Sequence, residues 1–135
     1  VCIARGGLRV GDTLSRIFDQ PLAIISTQSY TGEGGTQRGE ITVAEHMTMT
    51  TPKLGDHILL VDDLVDSGIT LEVVRDHLAR KYDVRDVRTA VLWYKACSRF
   101  KPDYYVDYLA ENPWIHQPFE PYDVMSPEAL DARGD

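Results

Sequence analysis

The sequence predicts an α/β fold in which a mainly parallel central sheet is flanked by helices, and three observations support this prediction. Short apolar runs at 58–61 and 90–93 are typical of parallel strands that are buried on both faces. Segments with apolar residues at helical spacing lie between such runs. Strands and helices therefore alternate along the chain, and this alternation indicates a parallel sheet.

The first half of the chain contains three predicted strands, one helix and one long loop. The apolar runs at 1–4 and 22–27 are predicted strands, and the segment at 10–18 is a predicted helix because its apolar residues share one face. The segment at 29–39 holds four Gly residues and is a predicted loop. The alternating segment at 40–47 is a predicted strand and a hairpin partner across that loop.

The second half of the chain continues the alternation. Ser126 and Pro127 are typical of the N-cap and the first position of a short helix near the C-terminus. The other predicted elements are, in order, a strand at 57–61, a helix at 70–82, and strands at 87–94 and 104–109.

Size and composition predict one domain, spanning residues 1–135, of an ordinary globular protein. The net charge of −7 argues against a nucleic-acid surface, which would need a basic patch. The longest apolar runs have four or five residues, too few to span a membrane. Two Cys residues without a secretory leader predict a reducing, cytoplasmic location. The chain opens inside a predicted strand without an initiator Met, so we expect that an N-terminal segment is missing.

The run at 58–70 combines a strand, an acidic pair and a short turn that opens a helix. Asp62 and Asp63 stand where the strand ends, and vicinal acids can accept hydrogen bonds from a ribose diol. The turn leaves backbone N–H groups unpaired and able to bind phosphate, and its two hydroxyls add donors. An ordinary strand with a capped helix would explain one acid of this run and not three.

This run resembles the signature with which the type I phosphoribosyltransferases bind 5-phosphoribosyl 1-pyrophosphate (PRPP). The resemblance covers all 13 positions and implies the type I phosphoribosyltransferase fold, PRPP as a ligand and Mg²⁺ as a cofactor. It implies that Asp62 and Asp63 bind the ribose hydroxyls and the metal, and that Asp66 is the general base. The implied contacts of the 5-phosphate are Ser67, Gly68, Ile69 and Thr70.

Residues at two other strand ends extend the resemblance. Arg5, Gly6 and Gly7 are similar to the pyrophosphate-binding loop of the 6-oxopurine phosphoribosyltransferases, in which glycines admit the diphosphate and an Arg binds it. Lys95 ends a predicted strand, and the resemblance assigns it to the exocyclic O6 of a purine. A cation at O6 favours a 6-oxopurine over adenine, whose 6-amino group is a donor.

The segment at 112–120 carries a Trp-Ile-x-Gln-Pro-aromatic-acid pattern that looks like bacterial xanthine-guanine phosphoribosyltransferases. The resemblance implies that Trp114 stacks on the base, that Ile115 adds backbone and apolar contacts, and that Glu120 reads the 2-substituent side. A large core or interface aromatic is the other interpretation of Trp114. His116 stands where the pattern has an acid. We expect residues 110–135 to form a small base-binding hood and a tail.

Ser29, Tyr30 and Arg38 border or belong to the Gly-rich segment, which is similar to the flexible catalytic loop of the family. Such a loop closes over PRPP and excludes water from the reacting centre. A plain solvated hairpin loop is the other interpretation of this segment.

Taken together, the resemblance implies purine salvage, in which a 5-phosphoribosyl group passes from PRPP to xanthine, guanine or hypoxanthine. Two other interpretations remain open: a phosphoribosyltransferase for another base, and a non-catalytic regulator that senses PRPP. The expected partners are PRPP and a purine base, with neither nucleic acid nor membrane. Enzymes of this kind commonly self-associate, so we expect a homodimer or homotetramer.

Overall fold

The computed structural model describes residues 1–29 and 40–132, and within them the chain forms one seven-stranded sheet with helices packed against it. The strands are β1 (Cys2–Ala4), β2 (Ile24–Ser29), β3 (Ile41–Val43), β4 (His57–Val61), β5 (Leu64–Val65), β6 (Asp86–Lys95) and β7 (Tyr104–Leu109). The helices are α1 (Leu8–Phe18), α2 (Ile69–Lys81) and α3 (Pro127–Asp131), and a 3₁₀ helix spans Glu120–Asp123.

The sheet is parallel except at one pair of strands. Its order is β3-β2-β1-β4-β6-β5, and β7 also pairs with β6. β2 and β3 are antiparallel, with Thr27 opposite Val43, and the other ladders run parallel. The structure therefore confirms the predicted mainly parallel α/β fold and the predicted hairpin partner across the Gly-rich segment.

The hydrophobic core lies between the sheet and α2. Ile25 and Leu60 from the sheet, and Val74 and Leu78 from α2, are fully buried in one cluster. Burying a side chain of this size stabilises the fold by about 1.5–3 kcal/mol relative to leaving it exposed. This packing fixes α2, and with it the turn that precedes α2, against the sheet.

Some local features differ from the predicted elements. Leu64–Val65 form a short strand inside the predicted turn, because they pair with Trp93 and Tyr94 of β6. Ser29, predicted to belong to the flexible loop, is the last residue of β2 and pairs with Ile41. Tyr30 and Arg38, which the sequence analysis assigns to the same loop, lie outside the described residues.

The short helix near the C-terminus begins where the sequence predicts it. Ser126 is the N-cap of α3, and its side chain accepts a hydrogen bond from Ala129 N–H, as the sequence predicted. Across the described ranges, no helix has both the length and the apolar character that a membrane span needs.

Candidate active site

β4 pairs in parallel with both β1 and β6, so the three strands point toward the same edge of the sheet. Val61 at the end of β4 lies opposite Ala90, and β6 continues to Lys95 beside β5. Ligands of such sheets bind outside the carboxyl ends of the strands. Arg5 follows β1, Asp62 and Asp63 follow β4, and Lys95 is the last residue of β6. The topology thus brings four residues predicted from separate motifs to one edge of the sheet.

The turn after β1 packs directly on the acidic pair. A Cβ atom at Gly6 would lie 2.5 Å from Oδ1 of Asp63 and 3.1 Å from Oδ1 of Asp62. Gly7 N–H donates to the carbonyl of Ile3 at 2.9 Å, and the peptide bond between Ala4 and Arg5 is cis. A side chain at position 6 would therefore displace the two carboxylates, and the backbone of the turn stands beside them.

The two acids of the pair have different surroundings. Asp62 Oδ1 accepts a hydrogen bond from the backbone N–H of Asp63 at 2.9 Å. Burial, together with the charge of Asp63, raises the pKa of Asp62 to about 8. Asp63 Oδ2 accepts a hydrogen bond from Nε2 of Gln117 at 2.9 Å. Asp62 thus holds a proton at neutral pH, and a cation beside the pair would favour the charged form.

The donor set of this pair fits Mg²⁺, which binds through one or two carboxylates and completes its shell with waters and substrate phosphates. In the part of the chain that the structure describes, no group of three or more His, Cys, Asp or Glu side chains is placed to hold a metal ion.

Lys95, Asp66 and Cys97 form a polar cluster between the end of β6 and the turn before α2. The Lys95 side chain is only 4% exposed, and its Nζ lies 3.4 Å from Oδ2 of Asp66, which is 57% exposed. The thiol of Cys97 donates to Oδ1 of the same carboxylate at 3.3 Å. This hydrogen bond raises the pKa of the Cys97 thiol. Asp66 therefore has a neighbour on each oxygen and still faces solvent.

The turn before α2 has the geometry of an anion-binding helix N-terminus. Gly68 is the N-cap and has a φ of 84°, a conformation that suits glycine. The bond from Glu72 N–H to Gly68 O, at 3.1 Å, begins the helix ladder, so Thr70 N–H precedes that ladder. Ser67 Oγ accepts from Ile69 N–H at 3.3 Å. Backbone N–H groups and two hydroxyls are thus gathered at the end of the helix that attracts anions.

The loop that follows β6 packs against this turn. A Cβ atom at Gly68 would lie 2.5 Å from Oγ of Ser98 and 2.6 Å from Cβ of Phe100. Arg99 N–H donates to the carbonyl of Ser67 at 3.1 Å. The loop that carries Cys97 therefore also fixes the position of the anion-binding turn.

The segment after β7 places its predicted residues in one hydrogen-bonded group. Trp114 Nε1 donates to Oε1 of Glu120 at 2.7 Å, and Nδ1 of His116 lies 3.3 Å from Oε2 of the same carboxylate. The indole of Trp114 is 70% exposed. Trp114 is therefore a surface aromatic in this chain and not a core residue.

The same segment folds back over the edge of the sheet. Besides the bond from Gln117 to Asp63, Asp123 Oδ1 accepts from Nη2 of Arg5 at 3.3 Å. The guanidinium of Arg9 lies 4.2 Å from the centre of the Phe119 ring. The predicted base-binding residues and the predicted PRPP-binding residues thus share one region.

Gln117, Cys97 and Asp123 contact predicted site residues and were absent from the predicted set. Gln117 lies inside the Trp-Ile-x-Gln-Pro pattern, so this pattern could have identified it as a candidate site residue. Cys97 follows Lys95 by two positions but contacts Asp66, which is 31 positions away. Nothing in the local sequence links Asp123 to Arg5, which lies 118 positions away.

A separate cavity of about 730 Å³ lies between α1, β4 and the segment before β4. It is lined mainly by apolar side chains, among them Leu14, Phe18, Leu22, Leu54 and Ile58. None of the predicted site residues is among the described residues that line it. The polar cluster at the strand ends is therefore the better candidate for chemistry.

Comparison with known proteins agrees with this geometry. The family model described as the phosphoribosyl transferase domain matches residues 1–123. A xanthine-guanine phosphoribosyltransferase of Gluconobacter oxydans is 31% identical, and the match covers 100% of this chain and 76% of that protein.

Solved structures give the same result. A purine phosphoribosyltransferase from Pyrococcus horikoshii has a TM-score of 0.70 and 30% identity, over 87% of this chain and 73% of that one. The xanthine-guanine-hypoxanthine phosphoribosyltransferase of Helicobacter pylori has a TM-score of 0.64 and 27% identity, over 97% and 79%. The resemblance predicted from the sequence is confirmed, and the chain belongs to the phosphoribosyl transferase domain family.

Proposed function

We propose that this protein is a purine salvage enzyme that transfers the 5-phosphoribosyl group from PRPP to a 6-oxopurine. The products are the nucleoside 5′-monophosphate and pyrophosphate. The observation that carries the proposal is the contact of Lys95 with Asp66, which follows the acidic pair by three residues. It unites a donor suited to a purine carbonyl with an acid suited to proton removal. The relatives named above, which include purine and xanthine-guanine phosphoribosyltransferases, support the same substrate class.

PRPP would bind across three structural elements. Arg5, Gly6 and Gly7 would hold the pyrophosphate, since a guanidinium and glycine backbone suit an oxyanion. Asp62 and Asp63 would hold the ribose hydroxyls. The 5-phosphate would lie at the start of α2, against Ser67, Gly68, Ile69 and Thr70.

Mg²⁺ would bind at Asp62 and Asp63, the two carboxylates whose donor set fits it. The bound ion supplies positive charge that stabilises the departing diphosphate. The neighbouring Gly6 backbone keeps this region free of side-chain bulk, since even a Cβ there would clash with Asp63.

The purine would lie between Lys95 and the C-terminal segment. Lys95 would donate to O6, Trp114 would stack on the ring, and Ile115 would add apolar and backbone contacts. Glu120 would face the 2-substituent side. Each oxygen of Glu120 already contacts one side chain, Trp114 or His116, so a hydrogen bond from the base would be an additional one on the same carboxylate.

The chemistry would form one bond and break one. N9 of the purine attacks C1 of the ribose while the bond from C1 to pyrophosphate oxygen breaks, and pyrophosphate leaves with that electron pair. Asp66 accepts the proton that N7 loses. Lys95 at 3.4 Å holds the carboxylate in place, and the exposed face of Asp66 leaves room for the purine.

The test is pyrophosphate release from PRPP and Mg²⁺, with hypoxanthine, guanine, xanthine, adenine and uracil supplied one at a time. We expect turnover with at least one of the three 6-oxopurines. Turnover with adenine or uracil alone would instead indicate a phosphoribosyltransferase for another base. PRPP binding without turnover of any base would indicate the PRPP-sensing regulator.

Two further expectations accompany this proposal. Self-association as a homodimer or homotetramer is tested by sedimentation velocity, in which a monomer at micromolar concentration would contradict it. A cytoplasmic location is tested by fractionating the source cells.

A further inference from the structure

Two hydrogen bonds join the C-terminal segment, defined as residues 110–132, to the rest of the described chain, and both end on residues assigned to PRPP. Gln117 Nε2 donates to Oδ2 of Asp63 at 2.9 Å, and Arg5 Nη2 donates to Oδ1 of Asp123 at 3.3 Å. The side chains of Arg5 and Asp123 are 86% and 51% exposed, and exposed ion pairs contribute little. The partly buried bond of Gln117 is therefore the stronger link between the two regions.

Gln117 and Trp114 belong to one closed loop of the C-terminal segment. Trp114 Nε1 donates to Oε1 of Glu120 at 2.7 Å, and Glu120 N–H donates to the carbonyl of Gln117 at 3.0 Å. Glu120 therefore connects the indole of Trp114 to the backbone of Gln117 through two hydrogen bonds. A displacement of Gln117 therefore displaces Trp114 as well.

The indole of Trp114 depends on these hydrogen bonds for its position. It is 70% exposed, so packing alone does not fix it against the sheet. An exposed aromatic that must stack on a ligand loses conformational freedom on binding, and that loss opposes affinity. Any contact that fixes the loop beforehand reduces this loss.

We propose that Gln117 is a positioning residue that couples the PRPP site to the base-stacking indole of Trp114. The inference rests on the proposed function, because it takes Asp63 as a ribose contact and Trp114 as a base contact. Ribose hydroxyls that fix the carboxylate of Asp63 also fix its partner Gln117 and the loop that carries Trp114. The base then binds to an ordered platform. By linkage, a bound base strengthens PRPP binding by the same factor.

The coupling can be measured without turnover. 9-Deazaguanine is a 6-oxopurine in which carbon replaces N9, so that the nitrogen needed for the glycosidic bond is absent. Its dissociation constant is measured by calorimetry in Mg²⁺, with and without saturating PRPP. We expect wild-type protein to bind it at least about fivefold more tightly with PRPP, the lower end of typical coupling between sites.

The informative variant is Gln117→Met, which keeps the length of the side chain and removes its donors. We expect the affinity ratio to fall close to one, while PRPP and 9-deazaguanine each still bind alone. Val124→Ala is the matched control, because Val124 lies in the same segment and is 92% exposed. It should keep the wild-type ratio.

A second readout follows Trp114 directly. The chain has two Trp residues, so Trp93→Phe leaves Trp114 as the single tryptophan. Adding PRPP and Mg²⁺ should change its emission, and the further change Gln117→Met should abolish that response.

Three results would contradict the inference. The first is equal affinity of the wild-type protein for 9-deazaguanine with and without PRPP. The other two are a wild-type affinity ratio retained in Gln117→Met and a Trp114 emission that does not change when PRPP is added. Failure of the wild-type protein to bind PRPP at all is a separate result. It would refute the proposed function, and the inference would fall with it.

Discussion

Nζ of Lys95 lies 3.4 Å from Oδ2 of Asp66, so the last residue of β6 touches the turn that precedes α2. The ammonium is almost fully covered, while the carboxylate is about half exposed. A cation held in this way keeps its partner acid in place and leaves the open side of that acid for a substrate. In the proposed function, the pair therefore links recognition of a purine carbonyl to removal of a purine proton.

Asp66→Asn should lower turnover by about 10²–10⁴-fold, because an amide cannot accept the proton from the purine. PRPP binding should persist, since the change removes a negative charge beside the proposed 5-phosphate site. Stopped-flow measurement of the first turnover, with calorimetry for PRPP, separates the two effects.

Asp56→Asn is the matched control for that variant. Asp56 precedes β4, at the opposite end of the strand from the acidic pair, and its side chain is 59% exposed against 57% for Asp66. It should keep wild-type turnover. Unchanged turnover in Asp66→Asn would remove Asp66 from the mechanism.

Lys95→Met should lower kcat/KM for 6-oxopurines by about 10- to 100-fold, the loss expected for one hydrogen bond from a charged donor. The partner Asp66 remains exposed, so the variant leaves no buried unpaired charge. Steady-state kinetics with hypoxanthine measures the effect, and Lys101→Met on the exposed loop after β6 serves as the control. Equal losses in the two variants would show that Lys95 has no special role.

The raised pKa of Asp62 predicts a dependence of stability on pH. The folded protein holds a proton up to about pH 8, whereas the unfolded chain releases it near the ordinary value of 3.8. Between these pH values the folded state binds more protons, so the free energy of unfolding falls as pH rises. Asp62→Asn stays neutral throughout and should lack this contribution.

Urea unfolding of wild type and Asp62→Asn at pH 5.5 and pH 8 provides the measurement. The stability of the variant relative to wild type should be greater at pH 8 than at pH 5.5. Parallel pH profiles for the two proteins would show that Asp62 titrates normally.

Gly68→Ala should destabilise the protein by about 1–3 kcal/mol, the typical cost of a left-handed conformation in a non-glycine residue. Its Cβ would also clash with Ser98 and Phe100, so PRPP binding should weaken as the turn shifts. Gly55→Ala is the control, because a Cβ there meets nothing within 4 Å. Thermal unfolding compares the two variants. Equal melting temperatures for Gly68→Ala and Gly55→Ala would show that alanine is not strained at position 68.

Local sequence patterns predicted the strands that precede the acidic pair and the C-terminal segment. The strands His57–Val61 and Tyr104–Leu109 have the predicted bounds, because compact apolar or aromatic runs end there at turn residues or acids. The start of α2 was also predicted to within one residue, since its turn carries a small-residue signal.

Contacts that depend on long-range packing could not be predicted from these patterns. β5 forms because Leu64 and Val65 pair with β6. Two residues are too few to show the alternation of polar and apolar side chains that predicts a strand. Gln117 reaches Asp63 across 54 positions, so its role follows from the path of the whole C-terminal segment. The same holds for Cys97, whose contact with Asp66 is set by the loop after β6.

The most direct measurement is the ratio of kcat/KM for hypoxanthine to kcat/KM for adenine, with PRPP and Mg²⁺ held constant. Lys95 can only donate, and a buried donor left facing an amino group is costly, so a site of this kind rejects the wrong partner strongly. We expect hypoxanthine to be favoured by at least about 100-fold. Equal use of the two bases, or a preference for adenine, would contradict the assignment of Lys95 and the proposed 6-oxopurine transfer.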